Sequence, residues 1–346
     1  MSISATLVAP DRAFSALASA IADAKGTDTL APVTVAVPTN TCGVMTRRAL
    51  GRQGGIAGVD MVTLNRLAEL IAGPTLAAAG RSPMSTPVID LTIASLLADD
   101  PGPFRAVASH PSTIVALREL HTELRLADPD AVGRLRDESL RGRQAVRVSS
   151  AITAALSERW YDEADLYATA TASTERAVPD GLRKLVLHLP TELSGRAISF
   201  VRALSTRIDV HIVSQLTGEP AADADARELL DAVGAAVITD DRPAAMPARP
   251  VDIVTTTDAD EEVREATRLV VEAARSGTPF ERIAVLWPTQ RPYARLVDHH
   301  LTTAGVPWNG RPGTTLAERL APRRGLERLD GDRRGWRGRS GCELRA

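Results

Sequence analysis

The sequence predicts an α/β protein built on a parallel sheet. Three observations carry that expectation. Short apolar runs alternate with amphipathic helical stretches over residues 1–73. The links between them are short. The alternation then resumes near residue 178, after a long stretch of purely helical periodicity.

The elements follow in chain order. Residues 4–9, SATLVA, form a short apolar strand. Asp11 is placed to cap the Ala-rich helix expected over 12–25, and Gly26 suits the position just past its end. Residues 33–37, VTVAV, read as a second strand and 41–52 as a second helix, closed by Gly54 and Gly55. A third strand over 59–63 leads into a helix over 64–72. Pro, Gly and Ser then crowd residues 74–87. From 88 to about 177 the apolar residues keep helical spacing only, over 89–97, 113–126, 130–140 and 145–171, which reads as an all-α insertion. The sheet resumes with a strand over 185–189, a helix over 195–207 and a strand over 210–213. Residues 217–250 are rich in Ala, Asp and Pro, with one helix over 224–233, and read as a loose connection. A second α/β unit begins there: strand 251–255, helix 259–276, strand 283–287 and helix 292–304. Residues 323–346 carry eight Arg and five Gly without periodicity. They read as a disordered or aberrant terminus rather than a basic nucleic-acid arm.

Composition narrows the function classes. At 44% hydrophobic and 24% charged the chain is ordinary for a globular protein, and 346 residues allow two or three domains. Aromatics make up only 3%, so the core is built from Ala, Val, Leu and Ile. A net charge of -2 gives the whole molecule no pull on polyanions, so nucleic-acid binding would need a local basic stripe. The basic residues are nearly all Arg; Lys25 and Lys184 are the only lysines. Cys42 and Cys342 are too few for a disulfide framework or a structural zinc site. No secretory leader and no 18-residue apolar run occurs, so the expectation is a cytoplasmic protein with no membrane partner.

The strand-to-helix turn at Pro10–Asp11 is where a doubly wound domain holds phosphate. A phosphate loop needs G-x-x-x-x-G-K-[ST], so that backbone N–H groups point inward and a lysine meets the outer phosphates. Here the turn is PDRAF, without glycine, and Lys25 lies at the far end of the helix. An Asp11 cap would also place negative charge where phosphate would sit. The site is expected not to hold ATP. Pro10–Asp11 with Asp23–Ala24–Lys25 formally matches a metal-nuclease pattern. A helix between them sets Asp11 about 20 Å from Lys25, so the match is accidental. The strand KLVLH ends in His188–Leu189–Pro190 and offers no carboxylate for a magnesium ion, and Glu192 reads as an acid of the next helix's first turn. The acids of DADEEVREA (258–266) complement a helix dipole. His299 and His300 point about 100° apart on a helix and do not suit one metal ion. Thr46–Arg47–Arg48 could contact a nucleic-acid backbone or form an exposed helix face.

Taken in order, these segments resemble a family. VTVAVPTNTCGVMTRRAL (33–50) is similar to helicase motif Ia, and GVDMVTLNRLAELIA (58–72) resembles the strand and helix that follow it. RWYDEADLYATATA (159–172) resembles the segment that returns the helical insertion to the sheet, and LVLHLPTELSGRAISFVRAL (185–204) the motif II strand and helix. The stretch from DEEVREATRLVVEAARSG to GVPW is similar to the motif IV region. The likeness spans residues 4–322 and is to superfamily-1 helicase-like (UvrD-like) proteins, closest to the AddB/RecB-like group with a C-terminal PD-(D/E)XK nuclease domain.

The resemblance implies a P-loop-NTPase-like parallel sheet with a degenerate Walker A turn, an all-α insertion and the start of a second α/β domain. Residues 1–73 and 178–216 would form the first domain, 74–177 the insertion, 217–250 a linker, 251–322 part of the second domain and 323–346 the tail. Walker A is absent at Pro10 and Asp11, His188 stands at the Walker B position, and Pro288 replaces the motif IV arginine. Later helicase motifs and the nuclease domain do not follow, so a truncated chain is expected. The implied role is a catalytically silent, DNA-binding scaffold portion of a helicase/nuclease protein in double-strand-break repair and recombination. It would contact single-stranded DNA or a duplex end through Thr39, Asn40, Arg47, Arg48, Thr63 and Asn65, beside a helicase or nuclease partner subunit. The family works with ATP and Mg²⁺; none is expected in this chain. Two other readings are an α/β protein-interaction module without DNA binding, and an active ATPase.

Overall fold

The computed structural model describes residues 3–52, 56–190, 192–241 and 251–310. The chain divides into two units, Met1–Ala248 and Arg249–Ala346. The first is α/β. Its strands are β1 (Ile3–Val8), β2 (Val33–Val37), β3 (Val59–Thr63), β4 (Ser82–Pro83), β5 (Trp160–Tyr161), β6 (Lys184–His188), β7 (Asp209–Gln215) and β8 (Ala236–Asp241). Six of them form one sheet in the order β3–β2–β6–β7–β1–β8, every pair parallel; β4 and β5 make a separate two-stranded pair. The architecture is consistent with a P-loop-like α/β fold.

Helices cover both faces, as a parallel sheet requires. Strand side chains alternate between faces, so β2, β6 and β7 each supply two cores. Val33, Val35, Val37, Val186 and Val213 face α1 (Ala13–Lys25) and α2 (Asn40–Gly51), which contribute Leu17, Ile21 and Leu50. Ala5, Leu7, Ala36, Leu185, Leu187, Val210 and Ile212 face the other way. There they meet α3 (Leu64–Ala78) and three later helices. With so few aromatics, the side chain of Phe200 is the largest that is fully buried in this core. Cutting it to Ala would cost about 3–5 kcal/mol.

The all-α insertion comprises α4 (Thr86–Asp99), α5 (Pro111–Leu126), α6 (Pro129–Glu138) and α7 (Leu140–Leu156). It has its own core of Ile89, Ile93, Leu97, Leu117, Val148, Ile152 and Leu156. The chain returns through α8 (Glu163–Arg176), then α9 (Gly195–Ser205) and α10 (Ala224–Val233). In the second unit α11 (Ala259–Arg275) packs on α12 (Tyr293–Thr303) through Val263, Val270, Val297 and Leu301. No helix among the described residues is long and apolar enough to cross a membrane.

Several elements differ from expectation. The helix from Leu64 runs past residue 73 to Ala78 and takes Pro74 inside it, so the composition change there marks no structural break. The single helix expected over 145–171 is two helices, split by Trp160–Tyr161. Asp162 starts the second by accepting the Asp165 N–H at 2.8 Å. Residues 217–250 hold an edge strand, β8, whose six residues are all exposed, so no apolar alternation announced it. The strands expected over 251–255 and 283–287 form no ladder among the described residues. Ile283, Val285 and Trp287 pack on the α11–α12 core, while Leu286 is 91% exposed. The alternation of a strand is thus present without a partner strand among the described residues. Gly54, Gly55 and the tail 323–346 lie outside the described residues.

Candidate functional site

In an open parallel sheet, ligands bind beyond the carboxyl ends of the strands. Here the register aligns those ends in one row. Val37 stands opposite Thr63 across β2–β3, Ala36 opposite Leu187 across β2–β6, and His188 opposite Val213 across β6–β7. The turns that leave this edge carry Pro10, Asp11, Thr39, Asn40, Thr63, Asn65 and His188.

The turn after β1 is closed by its own backbone. Residues Pro10–Arg12 form a 3₁₀ turn in which the Arg12 N–H donates to the Ala9 carbonyl at 2.9 Å and the Ala13 N–H to Pro10. These donors are therefore spent, and Pro10 has none. The Arg12 side chain pairs with Asp241 at the end of β8. Asp11 is exposed and does not cap α1, whose first residue follows Arg12 without a side-chain cap. The expected Asp11 cap is thus replaced by the 3₁₀ turn, which satisfies the same donors internally.

His188 closes the next position. Its side chain is fully buried, neither ring nitrogen has a hydrogen-bond partner among the described residues, and its ring lies 5.9 Å from that of Phe14 in the first turn of α1. Burial lowers its pKa to about 4, so it is neutral near pH 7. Leu189 follows with φ 52°, a left-handed conformation that costs a non-glycine residue about 1–3 kcal/mol. Its N–H is held by the Val213 carbonyl at 2.8 Å. A magnesium–nucleotide needs inward N–H groups and a carboxylate. The closed turn and the His188–Phe14 contact do not fit that group. Glu192 is exposed and precedes the α9 cap, Ser194, by two residues, so it is not in that helix's first turn.

The neighbouring turns are built differently. The Thr39 Oγ1 accepts the Cys42 N–H at 3.1 Å and starts α2; the Thr63 Oγ1 accepts the Arg66 N–H at 3.2 Å and starts α3. The Ser194 Oγ accepts the Ala197 N–H at 3.2 Å and starts α9. Three helix N-termini thus meet one edge, each with a partial positive charge. Each hydroxyl accepts from the backbone and keeps its own proton to donate. Asn40 is exposed in the first turn of α2. Asn65 is half-buried, and its Oδ1 is shielded without a partner among the described residues.

The structure therefore gathers Thr39, Asn40, Thr63 and Asn65 on the edge. It does not bring Arg47 and Arg48 there. Both lie about two turns down α2, roughly 11 Å from Asn40 along the axis. They are exposed and have no ion-pair partner among the described residues. One cation escaped the sequence reading. Arg196, in the first turn of α9, is half-buried, and its Nε is shielded and unpartnered among the described residues. The signal was the strand-then-Ser-Gly-Arg order at 194–196, which sets an arginine at a helix start next to the edge.

A second concentration of charge joins the insertion to the sheet. Arg125 of α5 donates to both oxygens of Asp162, at 2.7 and 3.1 Å, and also binds Asp165, which Arg81 meets from the other side. Burial pushes the Asp162 carboxyl up, but the bonds from Arg125 and the Asp165 N–H outweigh it and hold the group below its ordinary value. Nearby, His121 pairs with Ser149 at 2.9 Å, and burial lowers its pKa.

Fold and edge together describe a parallel α/β domain, consistent with a P-loop-like fold, whose β1 turn is closed by its own hydrogen bonds and at whose carboxyl edge α2, α3 and α9 begin. No protein-family model matches the chain, and no curated protein matches it.

Proposed function

We propose that this chain is a non-catalytic, helicase-like DNA-binding scaffold, the AddB/RecB-like reading of its sequence, acting in the cytoplasm in DNA break repair beside a helicase or nuclease partner. One observation carries the reading. The carboxyl edge offers the starts of α2, α3 and α9 together, while the β1 turn beside them is closed by its own hydrogen bonds. Phosphates of a single strand would accept from the free N–H groups and from the Thr39, Thr63 and Ser194 hydroxyls. Arg196 and, further along α2, Arg47 and Arg48 would add charge. No base-reading group is needed, so binding would be indifferent to sequence.

The test has two arms on the full chain. Titration of labelled single-stranded DNA should show affinity that falls steeply with salt. Thermal unfolding should not move with millimolar Mg-ATP. Absence of DNA binding at low salt would overturn the DNA reading, and an ATP-dependent rise in Tm would overturn the closed turn.

A further inference from the structure

The insertion carries a cleft along α5 and α7 at the margin of its own core. Its volume is about 740 Å³, and it runs between Leu117 and Leu120 of α5 and Leu140 of α7, with Phe104 and Val107 along one flank. Leu117 is shared with the insertion core, so the floor is fixed. The outer residues are left open: Leu140 is 69% exposed and Val107 48%. Two helices with an apolar groove between them present the shape into which a third helix packs.

Charge selects among the possible occupants. Arg141 is the single charged residue lining the cleft; it is exposed and has no ion-pair partner among the described residues. The same end is the first turn of α7, where the Ser139 hydroxyl takes only the Gly142 N–H, so the helix dipole adds to the positive sign. No carboxylate among the described residues lines the cleft. An apolar face flanked by acidic residues meets both conditions, whereas a basic one would bring like charges together in a partly desolvated groove.

We propose that the α5–α7 cleft is the docking site for an acidic amphipathic helix of a partner protein, seated on Leu117, Leu120, Leu140 and Val107 with a carboxylate on Arg141. The assignment is independent of the DNA reading, because the cleft lies on the insertion and shares no residue with the sheet edge.

The test is fluorescence anisotropy on the full chain with a labelled synthetic helix bearing leucines at i, i+3, i+4 and i+7 and flanking glutamates. A twin carries lysines in place of the glutamates. The acidic helix should bind saturably, and Arg141→Glu should weaken it about tenfold while improving the lysine twin. Leu140→Asp should abolish binding. Both substituted residues are exposed, and unchanged circular dichroism would show that the fold is kept. Three results would overturn the proposal: no saturable binding of the acidic helix, equal binding of the twins, or insensitivity to both substitutions. Dimerisation of the chain abolished by Leu140→Asp would overturn it too, in favour of a second copy. DNA affinity should be the same in both variants.

Discussion

Replacing His188 with leucine should remove most of the acid sensitivity that this edge confers. The imidazole is fully buried without a hydrogen-bond partner among the described residues, and burial lowers its pKa from 6.5 to about 4. An unfolded chain protonates the ring near 6.5; the folded protein resists until about 4. The folded pKa is the depressed one, so stability is fully present above 6.5 and is lost as pH falls through the window to 4. A shift of about 2.5 units corresponds to about 3 kcal/mol in full, of which about 2 kcal/mol is gone by pH 5. At pH 7.5 the leucine variant should equal or exceed the parent, because two unpartnered buried nitrogens each cost about 1–3 kcal/mol. Urea denaturation followed by circular dichroism, on both proteins from pH 7.5 to 4, gives the difference directly. Carboxylates that titrate in the same range affect both proteins and cancel. Stability curves that fall in parallel would refute the reasoning, since they would mean that His188 reaches water or a partner.

Three further substitutions test other joints. Asp223 is buried and accepts from the Thr217 N–H at 2.7 Å, the Thr217 hydroxyl at 2.9 Å and the Gly218 N–H at 3.0 Å; Asp223→Ala should cost about 3 kcal/mol and speed hydrogen exchange at 217–218. Burial alone would raise the Asp223 pKa, but these bonds hold it below its ordinary value, so its contribution is present above that value and disappears as pH falls through the lower folded one. Arg125→Met leaves Asp162 without its cation and should lower stability by about 3 kcal/mol, with proteolysis opening first between α7 and α8. Gly142→Ala would set a Cβ 2.0 Å from the Leu135 carbonyl oxygen, so a loss of about 2–3 kcal/mol is expected in thermal melts, centred on the α6–α7 pair.

The central strands were legible because β-branched runs such as Val33–Val37 are buried on both faces and bounded by turn residues. Thr39 and Thr63 were singled out from the resemblance to helicase motif Ia and the segment after it; in the structure Thr39 lies two residues past β2, Thr63 ends β3, and each caps a helix. What sequence could not give is which chain ends meet. That depends on the strand order, and β6, far along the chain, inserts between β2 and β7. Only this crossover sets His188 against Phe14 beside the β1 turn and lets α9, with Arg196 in its first turn, leave from a strand next to β2. β8 escaped notice because an edge strand exposed on both sides needs no apolar alternation. In the second unit the converse held. Ile283, Val285 and Trp287 alternate as in a strand, yet among the described residues the period matches packing on two helices and no ladder.

The salt dependence of single-stranded DNA binding, compared between the parent and the Arg47→Ala, Arg48→Ala and Arg196→Ala variants, tests the central claim most directly. Each arginine that meets a phosphate should contribute about 0.7 to the slope of log affinity against log salt. Losses are expected to be alike for different base sequences, largest for Arg196 on the edge and smaller for Arg47 and Arg48 two turns away. Slopes unchanged in all three variants, or no binding by the parent at low salt, would contradict a DNA-binding role for this edge.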